Sequence, residues 1–302
     1  MQMQIQLQEA ASQRVLPAGQ LQRQISKISK KVNTMAKTGC PILLTVMIVG
    51  MITSGCGSAP VAPSAEVRQV LAPTGTLRVG VNPGTPGGML RDPATGEVKG
   101  VAYELGKEFA RRLGVPFEVV VLVGNAQFME ALKVGRVDFA SNNATPARAE
   151  EMDFAQPHLE TEAGFLVPPD SLVSTVADAD RAGIRIGVTL GSTTEAQFSK
   201  ELRNAVLVRA PTIDSAITML AARQMDAFAT NKANLFEMSD KLPGFRVLEG
   251  RYAVEKISIA IPKGREAGMP FLRQFVDDAK SEGLVAAAVK RAGLRGTVKE
   301  SK

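Results

Sequence analysis

Tryptophan is absent from this 302-residue chain, tyrosine and cysteine each occur twice, and there is a single histidine. Each shortage excludes some chemistry. Both cysteines, Cys40 and Cys56, fall in the first 56 residues, so the rest of the chain can form no disulfide and no thiolate metal site. With His158 as the one histidine, a Ser–His or Cys–His catalytic unit and a histidine-based zinc site are both disfavoured. The count leaves an all-carboxylate site open, but no metal ligand cluster is visible and no cofactor is expected. A long apolar run is also missing. The longest, Pro41–Ile52, is too short to span a bilayer and fits the core of an export signal.

The sequence pI near 9.4 would suggest a nucleic-acid binder, but the excess charge is concentrated. Residues 1–56 hold six basic side chains against Glu9, and the remaining 246 carry 30 basic and 29 acidic groups. The basicity belongs to the leader, so no phosphate-tracking surface and no nucleic-acid partner are expected.

Residues 1–34 show no core pattern, and a second start is plausible at Met35. Residues 35–55 read as a signal peptide. Ser54-Gly55-Cys56 resembles the bacterial lipobox, with Thr53 at the position usually held by Leu; this implies lipidation of Cys56 and anchoring to a membrane outside the cytoplasm. An ordinary secretory signal cleaved nearby is the alternative. Residues 56–72, rich in Ser, Ala, Pro and Val, read as a flexible tether.

From Thr76 onward, strand and helix patterns alternate, which predicts an α/β fold with largely parallel sheet. TLRVGV is an alternating strand; Leu105, Phe109 and Leu113 repeat at helical spacing up to Gly114. A second series of the same kind begins near Ile184. The chain reads as two similar blocks, with the last strand and two helices free to pack back on the first.

Val137–His158, VDFASNNATPARAEEMDFAQPH, is the stretch where chemistry concentrates. A short apolar strand ends in Asn142, Asn143 and Thr145, and Arg148 follows. Polar donors at the carboxyl edge of a sheet are where ligands sit in open α/β folds. Arg grips a carboxylate with two parallel hydrogen bonds and keeps its charge. A solvated Arg beside Glu150 and Glu151 is the plain alternative. Ser192 and Thr193 open a helix after a strand, with Glu195 completing a capping pattern; they could cap that helix or hold an anion there. Asn231 could contact a ligand or cap the next helix. His158 reads as a packed residue.

Taken in order, these pieces resemble the family 3 extracellular solute-binding proteins, the polar-amino-acid-type receptors of bacterial ABC importers. The likeness covers about 75–294. It rests on TGTLRVGVNPG, KGVAYELGKEFARRLGVPFEVV, ALKVGRVDFASNNATPARAEEMDFAQPHL, IRIGVTLGSTTEA and LAARQMDAFATN, five segments in register.

The resemblance implies a two-lobed Venus-flytrap fold, each lobe a mostly parallel sheet flanked by helices, with two crossing hinge strands. It divides the chain into 73–164 plus 256–302 for the first lobe and 165–255 for the second. It implies that Arg148 pairs with a ligand carboxylate, that Asn143 and Thr145 add hydrogen bonds, and that Ser192 and Thr193 meet the same anion. The family's amino-acid binders usually have Asp, holding the α-ammonium, where this chain has Asn231. That difference points to a small solute with an anionic group more than to an amino acid. The expected protein is a monomeric, non-enzymatic, lipid-anchored receptor handing its solute to a permease. The alternatives are a periplasmic dehydratase-type enzyme and the sensing module of a signalling system.

Overall fold

Leu77–Val81 (β1) turns the fully buried Leu77, Val79 and Val81 to one face and Arg78 and Gly80 to the other. In the computed structural model the described residues are 63–298, apart from 84 and 86. They begin with helix α1 (Ala65–Leu71), capped by the Ser64 side chain. After β1 come a small hairpin, β2 (Leu90–Arg91) and β3 (Val98–Lys99), then α2 (Val101–Leu113), β4 (Phe117–Val121), α3 (Asn125–Lys133), β5 (Phe139–Asn143) and α4 (Pro146–Ala149). The long strand β6 (Met152–Val167) leads to β7 (Arg185–Thr189), α5 (Thr193–Glu201), β8 (Val206–Ala210), α6 (Ile213–Ala221), β9 (Ala227–Asn231) and α7 (Lys232–Lys241). The short β10 (Arg246–Val247), then β11 (Ala253–Pro262), α8 (Met269–Ser281) and α9 (Leu284–Ala292) complete the order.

The main sheet runs β4-β1-β5-β11-β6-β9-β7-β8, with β10 pairing on β6. Two parallel triads flank an antiparallel pair. In each triad the strand first in sequence is the central one, the second lies outside, and the third faces the middle. The middle pair, β6 and β11, is antiparallel to its neighbours and joins the triads. These are the two crossing strands, and the fold is the two-lobed one expected. β6 is much longer than its apolar end predicts, because its central part, from Gln156 to Glu162, pairs with β11 rather than entering a core.

Each lobe has its own core. Phe109 of α2, Phe139 of β5 and Phe275 of α8 pack together at ring distances of 5.3 and 4.8 Å, which places the C-terminal helices on the first lobe. The second lobe packs Phe165, Ile186, Val188 and Phe198 on one sheet face and Leu166, Leu220, Phe228 and Leu235 on the other. Gly187 is required there: an added Cβ would lie 2.1 Å from the Met225 sulfur and 2.8 Å from the Phe228 ring.

The lobes repeat one anchor. In the first, Arg78 donates from its backbone N, Nε and Nη2 to Asp138 at 2.9, 2.8 and 2.7 Å. In the second, Arg185 does the same to Asp226 at 2.8, 3.0 and 2.8 Å. The sequences that build it, LRVGV and IRIGV, each pair with an Asp just before the third strand of the triad.

One sequence expectation is corrected. Residues 65–71, placed in the tether, form α1, because Leu71 is fully buried against the first-lobe core and Ser64 supplies the cap. Residues 1–62, including Cys56 and the signal segment, lie outside the described residues. Among those described, no helix is long and apolar enough to cross a membrane.

Candidate functional site

Between the triads, against the middle strands, lies a cavity of about 350 Å³. It is built where strand ends and helix starts meet. The loop after β1 contributes Asn82 and Thr85, and β5 ends in it with Ser141, Asn142 and Asn143. The first turns of α5 and α6 bring Ser192, Thr193 and Thr212; β9 brings Asn231 and β11 brings Glu255. Apolar contact comes from Phe128, Ile213 and Ile257.

Arg148 enters from α4. Its backbone N–H donates to Thr145 Oγ1 at 3.3 Å, and its Nη1 donates to Asn142 Oδ1 at 2.6 Å and to the Asn143 carbonyl at 3.2 Å. Among the described residues it has no ion-pair partner, and Nε and Nη2 make no hydrogen bond. Burial pushes its pKa down, opposed by the charge of Glu255. A guanidinium fixed along one side by neutral acceptors, with donors left over, is poised for a carboxylate.

Asn143, Thr193 and Glu255 form a relay across the cleft. Asn143 Nδ2 donates to Thr193 Oγ1 at 3.1 Å, and Thr193 Oγ1 donates to Glu255 Oε1 at 2.9 Å. A β5 residue of the first lobe, a helix start of the second and a crossing strand are thereby joined. Asn125 Nδ2 adds a second link at the mouth, to the Leu190 carbonyl at 3.1 Å. The lobes are closed on each other. Burial raises the Glu255 carboxyl pKa, against the Thr193 hydrogen bond, the charge of Arg148 and the amides of Asn231 and Asn143.

Of the six candidate binding residues, Asn143, Arg148, Ser192, Thr193 and Asn231 line this one cavity. Thr145 does not; its hydroxyl caps α4 and holds the backbone of Arg148 instead. Ser192 and Asn231 also cap their helices, accepting from Glu195 N at 3.0 Å and Asn234 N at 3.0 Å, so the capping and cavity readings hold together. His158 is buried, with Nε2 3.2 Å from Ser141 Oγ and Nδ1 without a partner. Burial, then the charge of Lys280, brings its pKa down to about 4, and the neutral ring is packed under the β5 strand end. Among the described residues no three His, Cys, Asp or Glu side chains gather as a metal site.

Sequence reasoning missed Glu255. It is the last residue before the lobe boundary at 256 that the resemblance implies, and no motif there singles it out. The strand β11 in fact runs back to Ala253, which puts Glu255 inside it.

Two hinged α/β lobes closing over a polar cavity define a solute-binding protein. The sequence profile of the bacterial extracellular solute-binding proteins, family 3, matches residues 77–292, and the chain belongs to that family. It is 24% identical over 204 residues to the ABC transporter glutamine-binding protein GlnH of Bacillus subtilis, covering 64% of this chain and 72% of that protein. It is 25% identical over 213 residues to the glutamine-binding protein of Geobacillus stearothermophilus, covering 69% and 81%. The solved solute receptor for L-cysteine of Neisseria gonorrhoeae superposes with a TM-score of 0.66 at 26% identity, covering 75% of this chain and 92% of that one. The family is that of extracytoplasmic solute-binding proteins of ABC importers.

Proposed function

We propose that this chain captures a free amino acid between its lobes and delivers it to an ABC permease. The observation that carries this is Arg148, a half-buried cation with no carboxylate partner among the described residues, lining the cavity between the lobes. A ligand carboxylate completes it. The first turn of α5 supplies further donors: Ser192 has its oxygen committed to the cap, and the N–H groups of the helix start face no intrahelical acceptor. The glutamine- and cysteine-binding relatives support an amino acid over a simple acid, and Glu255 answers the objection raised by Asn231.

On this reading the receptor is a monomer that binds without turnover, held outside the cytoplasm by a lipid on Cys56. Asn143, Arg148, Ser192, Thr193 and Asn231 are the ligand contacts, and Thr145 is a positioning residue. The lobes are 65–164 with 256–298, and 165–255.

Mass spectrometry of ligand released from natively purified protein, followed by calorimetry with the compounds found, tests this. Arg148→Ala should weaken binding by roughly 2–5 kcal/mol, about thirty- to several-thousand-fold. Arg148→Lys should recover part of it, since an ammonium lacks the planar fork. Unchanged affinity in Arg148→Ala would remove the site, and a chemically altered product would replace the receptor with an enzyme.

A further inference from the structure

We propose that Glu255, on the crossing strand β11, receives the ligand's ammonium group, in place of an acid at the end of β9. The inference rests on the amino-acid reading above and adds the residue that would select for the amino group. The register of the sheet fixes where Glu255 stands. Ala253 pairs with Ala163, which pairs on its other side with Asn231; Ile257 pairs with Asn143. Glu255 lies between these two levels, sharing their face of β11 by the two-residue period of a strand. Its carboxylate therefore stands between the polar end of β5 in one lobe and that of β9 in the other.

The other carboxylates lining the cavity are committed at its outer end. Asp214 is largely exposed and lies 3.7 Å from Lys241 Nζ, and Glu237 is 3.3 Å from Arg295 Nη2. Glu255 instead accepts from a neutral hydroxyl, that of Thr193. It does not reach Arg148. The two opposite charges are spaced apart and joined through the Arg148–Asn143–Thr193–Glu255 chain of hydrogen bonds.

A half-buried cation and a half-buried anion, out of contact and each bonded to neutral groups, carry a desolvation cost that their attraction at a distance offsets only in part. An α-amino acid has its carboxylate and ammonium on one carbon. Set between Arg148 and Glu255, it would complete both pairs at once. Asn231 then has a different task from the acid it replaces. Its oxygen caps α7, and its amide faces the Glu255 carboxylate. A second acid at that position would crowd two negative charges together.

The test uses the full chain purified in detergent and titrated calorimetrically with the twenty proteinogenic L-amino acids. The tightest binder is then compared with the same molecule lacking its α-amino group. Glu255→Gln, close in shape, should lose about thirty-fold or more toward the amino acid while binding the deamino compound as the wild type does. Glu255→Asp, which keeps the charge on a shorter stem, should lose less. Glu255→Gln/Asn231→Asp, with one acid moved back to the end of β9, should regain at least tenfold over Glu255→Gln. Thermal melting confirms that each variant is folded. Wild-type affinity in Glu255→Gln would overturn the inference and leave the amino-acid reading standing, as would equal losses toward both compounds. A wild type that takes deamino acids and no amino acid would overturn the amino-acid reading, and the role of Glu255 with it.

Discussion

The repeated Arg–Asp anchor offers a test of what a buried setting does to an ion pair, since its two copies share three bonds and differ in burial and in a second arginine at Asp138. Asp138 is fully buried and accepts four hydrogen bonds, three from Arg78 and one from Arg265 Nη1 at 2.8 Å. Replacing it by Asn leaves two guanidinium groups, with side chains 19% and 11% exposed, facing a neutral amide. Breaking a buried pair from one side costs about 3–5 kcal/mol, and two stranded cations put Asp138→Asn in that range. At Asp226 the partners are 30% and 41% exposed, so water takes up much of the loss. A screened pair contributes about 0–1 kcal/mol, and one weakened backbone hydrogen bond about 1 more. Asp226→Asn should therefore cost about 1–2 kcal/mol. Urea unfolding of ligand-free protein, followed by circular dichroism with a check that the slope is unchanged, measures both. Equal costs would refute the reasoning, because the three shared bonds match while burial and the second arginine set the sites apart.

His158 should make the protein acid-labile. Its folded pKa of about 4 lies below the ordinary 6.5, so its contribution is full above about pH 6.5 and is lost as pH falls through 4. On the order of 3 kcal/mol should disappear over that window, and His158→Gln should flatten this part of the stability–pH curve. Gly187→Ala should destabilise the second lobe by about 1–3 kcal/mol through its clash with Met225 and Phe228, and Met225→Ala should relieve part of that added cost, seen as non-additive melting shifts. Since Asn143–Thr193 and Asn125–Leu190 join the lobes across the cleft, saturating amino acid should lower the radius of gyration in solution scattering; an unchanged radius would count against hinge closure.

The fold was legible wherever a segment's own burial shaped its composition. LRVGV and IRIGV set their apolar residues on the strand face that packs into each core, and α2 shows its stripe up to the left-handed Gly114. The crossing strands were only half legible. Their polar middles, LETEA in β6 and VEK in β11, pair with each other over the cleft, so backbone bonding holds them extended without apolar alternation. Helix α1 was hidden for the opposite reason: seven residues with one fully buried contact, Leu71, carry too little pattern to stand out from a Ser/Ala/Pro/Val-rich stretch. In the site, Asn143 and Arg148 could be found because they lie five residues apart behind one strand. Glu255 could not, since 107 positions separate it from Arg148 and the fold alone brings them to one cavity.

The lobes have one scaffold and divided chemistry. Both use the same strand order and the same Arg–Asp anchor, yet the first puts a cation at its cleft edge and the second puts hydroxyls and helix starts. Neither triad supplies the half-buried carboxylate of the cleft; the strand that joins them does. A contact carried by a lobe can hold ligand in the open form, whereas a contact on the crossing strand is completed only as both lobes arrive. Thr193 reaches Glu255 from the second lobe, and Asn143 reaches Thr193 from the first, so the carboxylate is positioned by closure itself. A ligand bearing only the anionic group would satisfy Arg148 and leave Glu255 enclosed and uncompensated. Such a ligand gains less from the closed state than a zwitterion does, and a ligand shifts a conformational equilibrium only by its differential affinity for the two forms. On the proposed reading, closure is favoured on the zwitterion over a simple acid that has entered the cleft.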